Sequence, residues 1–253
     1  MDFALLDKVA LITGAGSQKG FGKAIAVTLA QEGCDIVACD IDLDGAVKTA
    51  SEVESLGRKA VAIKVDITNP KEVNEMRIRA MEEFDKIDIL VNNAGAISEL
   101  KPFIDKTEVE WDSDINLNLK GAMNCTKAVL DQMISRKSGK IINISSIGAK
   151  KGKPRTVSYG AAKAGIIGFT QCLAVEVAGL GINVNCLAPG LGLTNFGGGS
   201  PPPDILEKAM NTIPIKRTTT PQDIANVVAF LASDVSQDIV GQTISVDGGE
   251  CIV

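Results

Sequence analysis

Seven short apolar runs, alternating with longer segments of helical period, leave this chain few ways to fold. The runs are VALIT (9–13), DIVACD (35–40), AVAIKVD (60–66), IDILVNNAG (87–95), KIINISS (140–146), INVNCLAPG (182–190) and TISVDGG (243–249). Amphipathic stretches lie between them near 21–33, 43–56, 70–85, 108–135, 157–179 and 221–232. A strand apolar on both faces needs cover on both sides, and intervening helices supply the crossovers that parallel pairing requires. With right-handed crossovers the result is a doubly wound α/β sandwich, an open Rossmann-type parallel sheet of about seven strands. No linker, repeat or charge block divides the 253 residues, so a single domain over 1–253 is predicted.

Composition narrows the chemistry. A net charge of −5 and a pI near 5.0 argue against nucleic acid or an anionic membrane as partner. The N-terminus carries no leader pattern and no run of about 20 apolar residues stands out, so a soluble, cytoplasmic protein is expected. The six cysteines are scattered, without CxxC or metal-ligand spacing, and read as reduced structural thiols with no metal site. There is no histidine at all, which removes Ser-His-Asp and Cys-His arrangements. Acid–base work must then fall to Asp, Glu, Lys, Tyr or water.

Against that background the segment 146–163, SIGAKKGKPRTVSYGAAK, stands out. It holds Tyr159, the only tyrosine, with Lys163 at i+4 on the same helix face. A phenol is a poor base near neutral pH, and a neighbouring cation lowers its pKa. Ser146 closes the preceding apolar strand and faces the same place; chance spacing explains the Tyr–Lys pair equally well when it stands alone. The first strand, however, runs into a glycine loop, TGAGSQKGFG (13–22). There Gly14, Gly20 and Gly22 let backbone amides meet a pyrophosphate at a helix N-terminus. Asp40 ends the second strand, where a carboxylate accepts hydrogen bonds from ribose hydroxyls.

With these residues in place the chain resembles the short-chain dehydrogenase/reductase family over almost its full length. The landmarks follow in order: the TG…GxG loop, NNAG at 92–95, an NLxG-like stretch at 118–121, Ser146, YxxxK at 159–163, PGxxxT at 189–194 and VDGG at 246–249. The resemblance implies that Tyr159 is the general acid/base, exchanging a proton with the substrate oxygen while hydride moves to or from a nicotinamide. Ser146, rather than Ser145, would hold and polarise that oxygen. Lys163 would lower the Tyr159 pKa and bind the nicotinamide ribose. Asn118, rather than Asn116, would pin a water that relays protons from Lys163. For the cofactor it places Gly14, Ser17, Gly20, Phe21 and Gly22 around the pyrophosphate and its ribose. Asp40 and Ile41 would meet the adenosine ribose, and Asp66 with Ile67 the adenine. Asn93, Ala94 and Gly95 would lie beside the ribose, and Pro189, Gly190, Gly192 and Thr194 at the nicotinamide carboxamide and nearby phosphate.

Asp40 favours NAD over NADP because a carboxylate repels a 2′-phosphate, and Ile41 follows it where an arginine would favour NADP. Lys19 is the opposing sign, on a loop two residues longer than the usual TGxxxGxG. At Gly192, where a branched apolar residue is usual, a roomier pocket wall is expected. The loop near 191–215, with FGGGSPPP inside it, resembles a mobile substrate cover. The stretches 96–100, 147–151 and 191–196 are mostly small or apolar, so an apolar secondary alcohol or ketone is the leading small-molecule substrate. The alternatives are a reductase of 3-oxoacyl thioesters on acyl-carrier protein or CoA, and a non-catalytic dinucleotide-binding subunit. The KKGKPR cluster (150–155) suits either an anionic group or solvent, Lys137 is a further basic group, and Leu180 stands where carrier-dependent reductases often have arginine. The resemblance also implies a homo-oligomer, most often a tetramer.

Overall fold

The computed structural model of the protein describes residues 3–194 and 203–252. Its strands are β1 (Val9–Thr13), β2 (Asp35–Asp40), β3 (Ala60–Lys64), β4 (Ile89–Asn92), β5 (Gly139–Ile144), β6 (Ile182–Pro189) and β7 (Thr243–Val246). All pair in parallel in one sheet ordered β3-β2-β1-β4-β5-β6-β7. The doubly wound expectation holds. Strand side chains alternate between two cores. On one side Ala10, Ile12, Ile36, Ala38 and Val91 pack under α1 (Phe21–Gln31), α2 (Leu43–Ser55) and α9 (Pro221–Ala232). On the other, Val9, Leu11, Val37, Leu90 and Val184 meet α3 (Pro70–Phe84), α5 (Gly121–Arg136) and α7 (Val157–Val177).

Where expectation and structure part, local hydrogen bonding decides. The run 87–95 is strand only to Asn92, because the Asn93 amide turns back to the Val91 carbonyl at 3.1 Å. TISVDGG stops pairing at Val246, because the Asp247 carboxylate collects the amides of Gly249 (3.0 Å) and Cys251 (2.8 Å) into a turn. The predicted helix over 108–135 is three pieces: α4 (Glu108–Ile115), a π turn (Asn116–Lys120) and α5. A further short helix, α6 (Ile147–Lys151), follows β5 and was not anticipated; Ser146 caps it by accepting from Gly148 N at 3.1 Å. Residues 203–212 form α8 (Pro203–Thr212).

Together with the following 3-10 turn, α7 spans Val157–Leu180 and is long and apolar enough to cross a membrane, with mean hydropathy 1.3. That qualifies the expectation of no such run. Here the helix lies along β6, with Ala162, Ile166, Leu173, Ala174 and Val177 buried together with Ser158, Lys163 and Thr170, and Val157 and Val175 exposed. Five cysteines are buried, and Cys172 is exposed on α7.

One buried charge fastens the amino ends of the central strands. Asp88 is 4% exposed, accepts from Val9 N at 2.9 Å, and is paired with Lys86 and Arg136. Asp88→Ala should therefore cost about 2 kcal/mol of unfolding free energy in a denaturant titration, since it leaves the buried Val9 amide without its acceptor and two part-exposed cations without their carboxylate.

Candidate active site

The strand order reverses between β1 and β4, and at their carboxyl ends a crevice of about 400 Å³ opens, where open α/β sheets bind ligands. Thr13 and Asn93 knit its floor. Thr13 Oγ1 accepts from the amides of Asn93 and Ala94, both at 3.1 Å, and donates to Val91 O at 3.3 Å. Asn93 Nδ2 donates to the carbonyls of Thr13 (2.9 Å) and Gly14 (3.1 Å). Gly14 turns the chain with φ +71°, and a Cβ on Gly22 would fall 2.2 Å from Gly14 O, so α1 starts hard against the strand end. Gly20, at the α1 N-cap, supplies no side-chain cap, and the first turn holds no acidic residue. Its amides are left for an anion. Ser17 Oγ beside them is buried with no hydrogen-bond partner among the described residues. A helix N-terminus without a cap, a bare hydroxyl and a sharp glycine turn together suit a diphosphate.

Of the expected cofactor residues, Gly14, Ser17, Gly20 and Phe21 line the crevice on the loop side. Asp40 and Ile41 line it at the end of β2, Asp66 and Ile67 opposite, and Asn93, Ala94, Gly95 and Thr194 complete it. Gly22, Pro189, Gly190 and Gly192 are not on its wall. Gly22 serves the α1 contact described above, Pro189 ends β6, and Gly190 lies against Asp247. Gly192 opens no extra room: a Cβ there would lie 2.8 Å from the Phe21 ring, which already fills the space. The longer glycine loop is pinned to α2, with Gln18 Nε2 donating to Gly16 O (2.9 Å) and Gly45 O (3.0 Å). Asp40 accepts from Gly16 N at 2.7 Å and Asp42 N at 2.9 Å, while Lys19 is exposed. Residues 195–202 of the expected substrate cover lie outside the described residues. Its flanks are tied down: Thr219 N donates to Leu191 O at 2.8 Å and Ile215 N to Gly248 O at 3.3 Å.

The four expected catalytic side chains converge beyond Gly95. Ser146 Oγ accepts from Gly148 N, which leaves its own proton for Tyr159, its hydrogen-bonded neighbour. Removal from water pushes the Tyr159 phenol up to about 12; the Ser146 bond pulls it down and the Asp114 charge adds to the rise. Lys163 is 3% exposed, donates to Ile144 O at 2.8 Å, and sits 5.8 Å from the Tyr159 ring centroid. Burial pushes Lys163 down to about 8, against the nearby Cys186 thiol. The Lys163 ammonium is tied to the Ile144 carbonyl and lies over the Tyr159 ring, while burial dominates the rise of the phenol. Asn118 stands on the π turn, where a widened helix often marks a functional position. Its Nδ2 donates to Ala96 O (2.7 Å) and Asp114 O (2.9 Å), and its Oδ1 is buried with no hydrogen-bond partner among the described residues. A Cβ on Gly95 would be 2.7 Å from that oxygen and 3.1 Å from Lys163 Nζ, so only a glycine leaves the gap they share. Asn116 instead borders a separate surface cleft with Lys120.

Sequence reasoning missed a buried polar cluster behind these groups, formed by Ser98, Lys106, Asp114 and Ser158. The signal available was Asp114 at i−4 from Asn118. The basic KKGKPR segment is largely committed: Lys150 donates to Ser245 Oγ at 2.8 Å and Lys151 pairs with Glu250 at 2.6 Å, leaving Lys153 and Arg155 exposed.

Residues 14–250 match the family described as enoyl-(acyl carrier protein) reductase. The 3-oxoacyl-(acyl-carrier-protein) reductase of Thermotoga maritima is 39% identical over 242 residues, covering 96% of this chain and 97% of that protein. The enzyme of the same name from Staphylococcus epidermidis is 40% identical over 245 residues, covering 96% and 99%. Among solved structures, that of a candidate short-chain alcohol dehydrogenase from Sinorhizobium meliloti 1021 superposes with a TM-score of 0.93 at 36% identity, covering 99% of this chain and 98% of the other.

The depressed lysine fixes a pH test. Its folded value of about 8 lies below the ordinary 10.5, so the unfolded chain binds more protons between them. Stability from this group is present above 10.5 and lost as pH falls through about 8. The stability of the wild type relative to Lys163→Met should rise by about 3 kcal/mol across that window. A difference that stays flat in denaturant melts would place the ammonium in water.

Proposed function

The chain belongs to the short-chain dehydrogenase/reductase family, and on that footing we propose that it reduces 3-oxoacyl thioesters with a nicotinamide dinucleotide, NADH in preference to NADPH. The observation that carries this reading is that relatives 39–40% identical over nearly the whole chain are named for that reaction. It favours the 3-oxoacyl-thioester alternative over the apolar secondary alcohol or ketone that the sequence put first, although the chemistry at the carbonyl is the same.

Family members use a nicotinamide dinucleotide, which when bound supplies hydride to the substrate carbon. Gly14, Ser17, Gly20 and the first amides of α1 would hold its diphosphate, Asp40 and Ile41 the adenosine ribose, and Asp66 with Ile67 the adenine. Gly95 and Thr194, which line the crevice, would stand toward the nicotinamide end, with Pro189 and Gly190 behind them, and Lys163 would meet the ribose there. Tyr159 gives its proton to the 3-oxo oxygen as negative charge develops there. A phenol pushed up to about 12 stays protonated through neutral pH, which suits an acid. Ser146 donates to the same oxygen. Lys163 and Asn118 Oδ1 face one gap, fit for a water that returns a proton to Tyr159.

Asp40 supports NADH. Its two oxygens are held by Gly16 N and Asp42 N, so the carboxylate is fixed at the ribose end, while Lys19 is exposed on a loop tied to α2. Asp40→Ala should erode the preference for NADH by about tenfold or more in kcat/KM, a loss of about 1.4 kcal/mol. An unchanged ratio of NADH to NADPH efficiency would sink the choice.

Exposed Met123 on α5, Val157 and Val175 on α7, and Leu180 in the 3-10 turn that follows it support the homo-oligomer. The similarity to a candidate alcohol dehydrogenase keeps secondary alcohols in the assay. Acetoacetyl-CoA, an acetoacetyl carrier-protein thioester and a panel of secondary alcohols should be compared with both cofactors. Thioester reduction is expected to lead, and Tyr159→Phe should cut it about a hundredfold or more. Turnover confined to alcohols would overturn the substrate. Full activity of Tyr159→Phe would overturn the assigned acid, and cofactor binding without turnover would leave the non-catalytic alternative.

A further inference from the structure

The buried cluster behind the catalytic groups is built around an ion pair with no exposure. Lys106 Nζ lies 2.9 Å from Asp114 Oδ2, with side chains 0% and 1% exposed. All three ammonium protons have acceptors, because Lys106 also donates to Ser98 Oγ (3.0 Å) and Ser158 Oγ (3.2 Å). Asp114 accepts from Ser98 N at 2.7 Å and from Ser158 Oγ at 2.5 Å. Taking two charges fully out of water is costly, and an apolar pair would fill the same volume without that cost. The satisfied network joins three separate pieces of chain: the segment after β4, the helix α4 and the first turn of α7.

Each link ends on a group that the proposed reaction uses. Ser98 N fixes the backbone two residues after Ala96, whose carbonyl accepts from Asn118 Nδ2 at 2.7 Å. Asp114's own carbonyl takes the other Asn118 proton at 2.9 Å. The Asn118 oxygen is thereby aimed at the gap shared with Lys163. Ser158 adjoins Tyr159, in a first turn that has neither a side-chain cap nor an acidic residue of its own. The Asp114 carboxylate supplies from a neighbouring helix the negative charge that a helix N-terminus favours. Burial raises this carboxyl, but the hydrogen bonds from Ser158, Ser98 N and Lys106 outweigh it and hold the group below its ordinary range, ionised.

We propose that Asp114, clamped by Lys106, is a positioning residue that sets both the Asn118 carboxamide and the turn of α7 carrying Tyr159. This rests on the roles given to Tyr159 and Asn118 above. The groups facing Tyr159 are Ser146 at the end of β5, Asp114 from α4 and Lys163 on its own helix, with Cys186 of β6 next to Lys163 and Lys106 next to Asp114. A purely structural pair and a positioning pair differ in what an apolar replacement restores.

The test compares Asp114→Asn, the double variant Lys106→Met/Asp114→Leu and Ser158→Ala with the full-length wild type. Melting temperature, kcat and KM are measured on whichever substrate the wild type turns over best. Because Tyr159 is the only tyrosine, its ionisation can also be followed directly by tyrosinate absorbance, with no substrate present. The double variant should melt near the wild type yet keep a kcat lowered about tenfold or more, as misplacement of catalytic groups does. Asp114→Asn should bring the tyrosinate midpoint down, since the carboxylate charge holds it up. Ser158→Ala, which leaves the ion pair in place, should lower kcat more than it raises KM, and it decides the matter where the pair variants do not fold. Wild-type melting, kcat and tyrosinate midpoint in the double variant would overturn the proposal, as would an unchanged Ser158→Ala. A wild type inactive on every substrate would count against the function proposed above, while the absorbance titration would still support or overturn the link from Asp114 to Tyr159.

Discussion

The hydrogen bonds between the end of β1 and the end of β4 hold the rest of the site in place. Asn93 spends both side-chain protons on the carbonyls of Thr13 and Gly14, and Thr13 takes the amides of Asn93 and Ala94. Two parallel strands are thus joined beyond their last pairing residues, where the sheet has no ladder left to hold them. That junction leaves no room for a side chain at Gly14 or Gly22, so α1 begins where its amides open on the crevice. The same junction ends β4 early and sends the chain through Gly95 to Ala96, whose carbonyl orients Asn118. Cofactor end and catalytic end share one knot.

Helix capping marks the same places. Asp42, Asn69, Thr107 and Thr220 cap α2, α3, α4 and α9 with their own side chains, as isolated helix ends require. The helices α1 and α7 have no such cap. In α1 the bare amides lie beside a buried hydroxyl that has no partner among the described residues, the condition of an end prepared for an anion. In α7 the first turn is served from outside by Asp114, through Ser158. A helix whose own sequence would cap it poorly is thereby kept in register with α4, and Tyr159 is placed by contacts from another element.

Much of this was legible because it is written in local pattern. Short continuous apolar runs located every strand among the described residues, and Gly14, Ser17, Gly20, Asp40, Asp66 and Gly95 all line one crevice. Three things were not legible. The π turn at 116–120 interrupts a stretch whose apolar pattern is continuous, because the interruption is set by Asn118 reaching Ala96 far along the chain. The fate of Lys150 and Lys151 depended on Ser245 and Glu250, nearly a hundred residues away, so a basic run that reads as free charge is in part a set of internal ties. The Lys106–Asp114 pair drew no reading from the sequence, since pattern shows periodicity but not the contact that brings a lysine, a carboxylate and two serines into one dry space.

Burial acts on the two central titrating groups in opposite senses. It pushes the Tyr159 phenol up to about 12 and the Lys163 ammonium down to about 8, favouring the neutral form of each. At neutral pH the phenol is uncharged and the lysine keeps most of its charge, so the resting site holds one cation. That cation is partnered by the Ile144 carbonyl rather than by a carboxylate. Among the described residues, Asp114 is the carboxylate whose charge acts on Tyr159, and its pairing with Lys106 offsets part of that charge. Under the proposed reaction an unpaired Asp114 would oppose a developing alkoxide; paired, it would order α7 and the segment after β4 at a smaller electrostatic cost. The Asn118 oxygen is then left as the uncommitted acceptor beside the buried cation, where a water could join them. Under the proposed reaction, a site arranged this way would carry positive charge near the place where negative charge forms, while Asp114 is occupied with holding the scaffold.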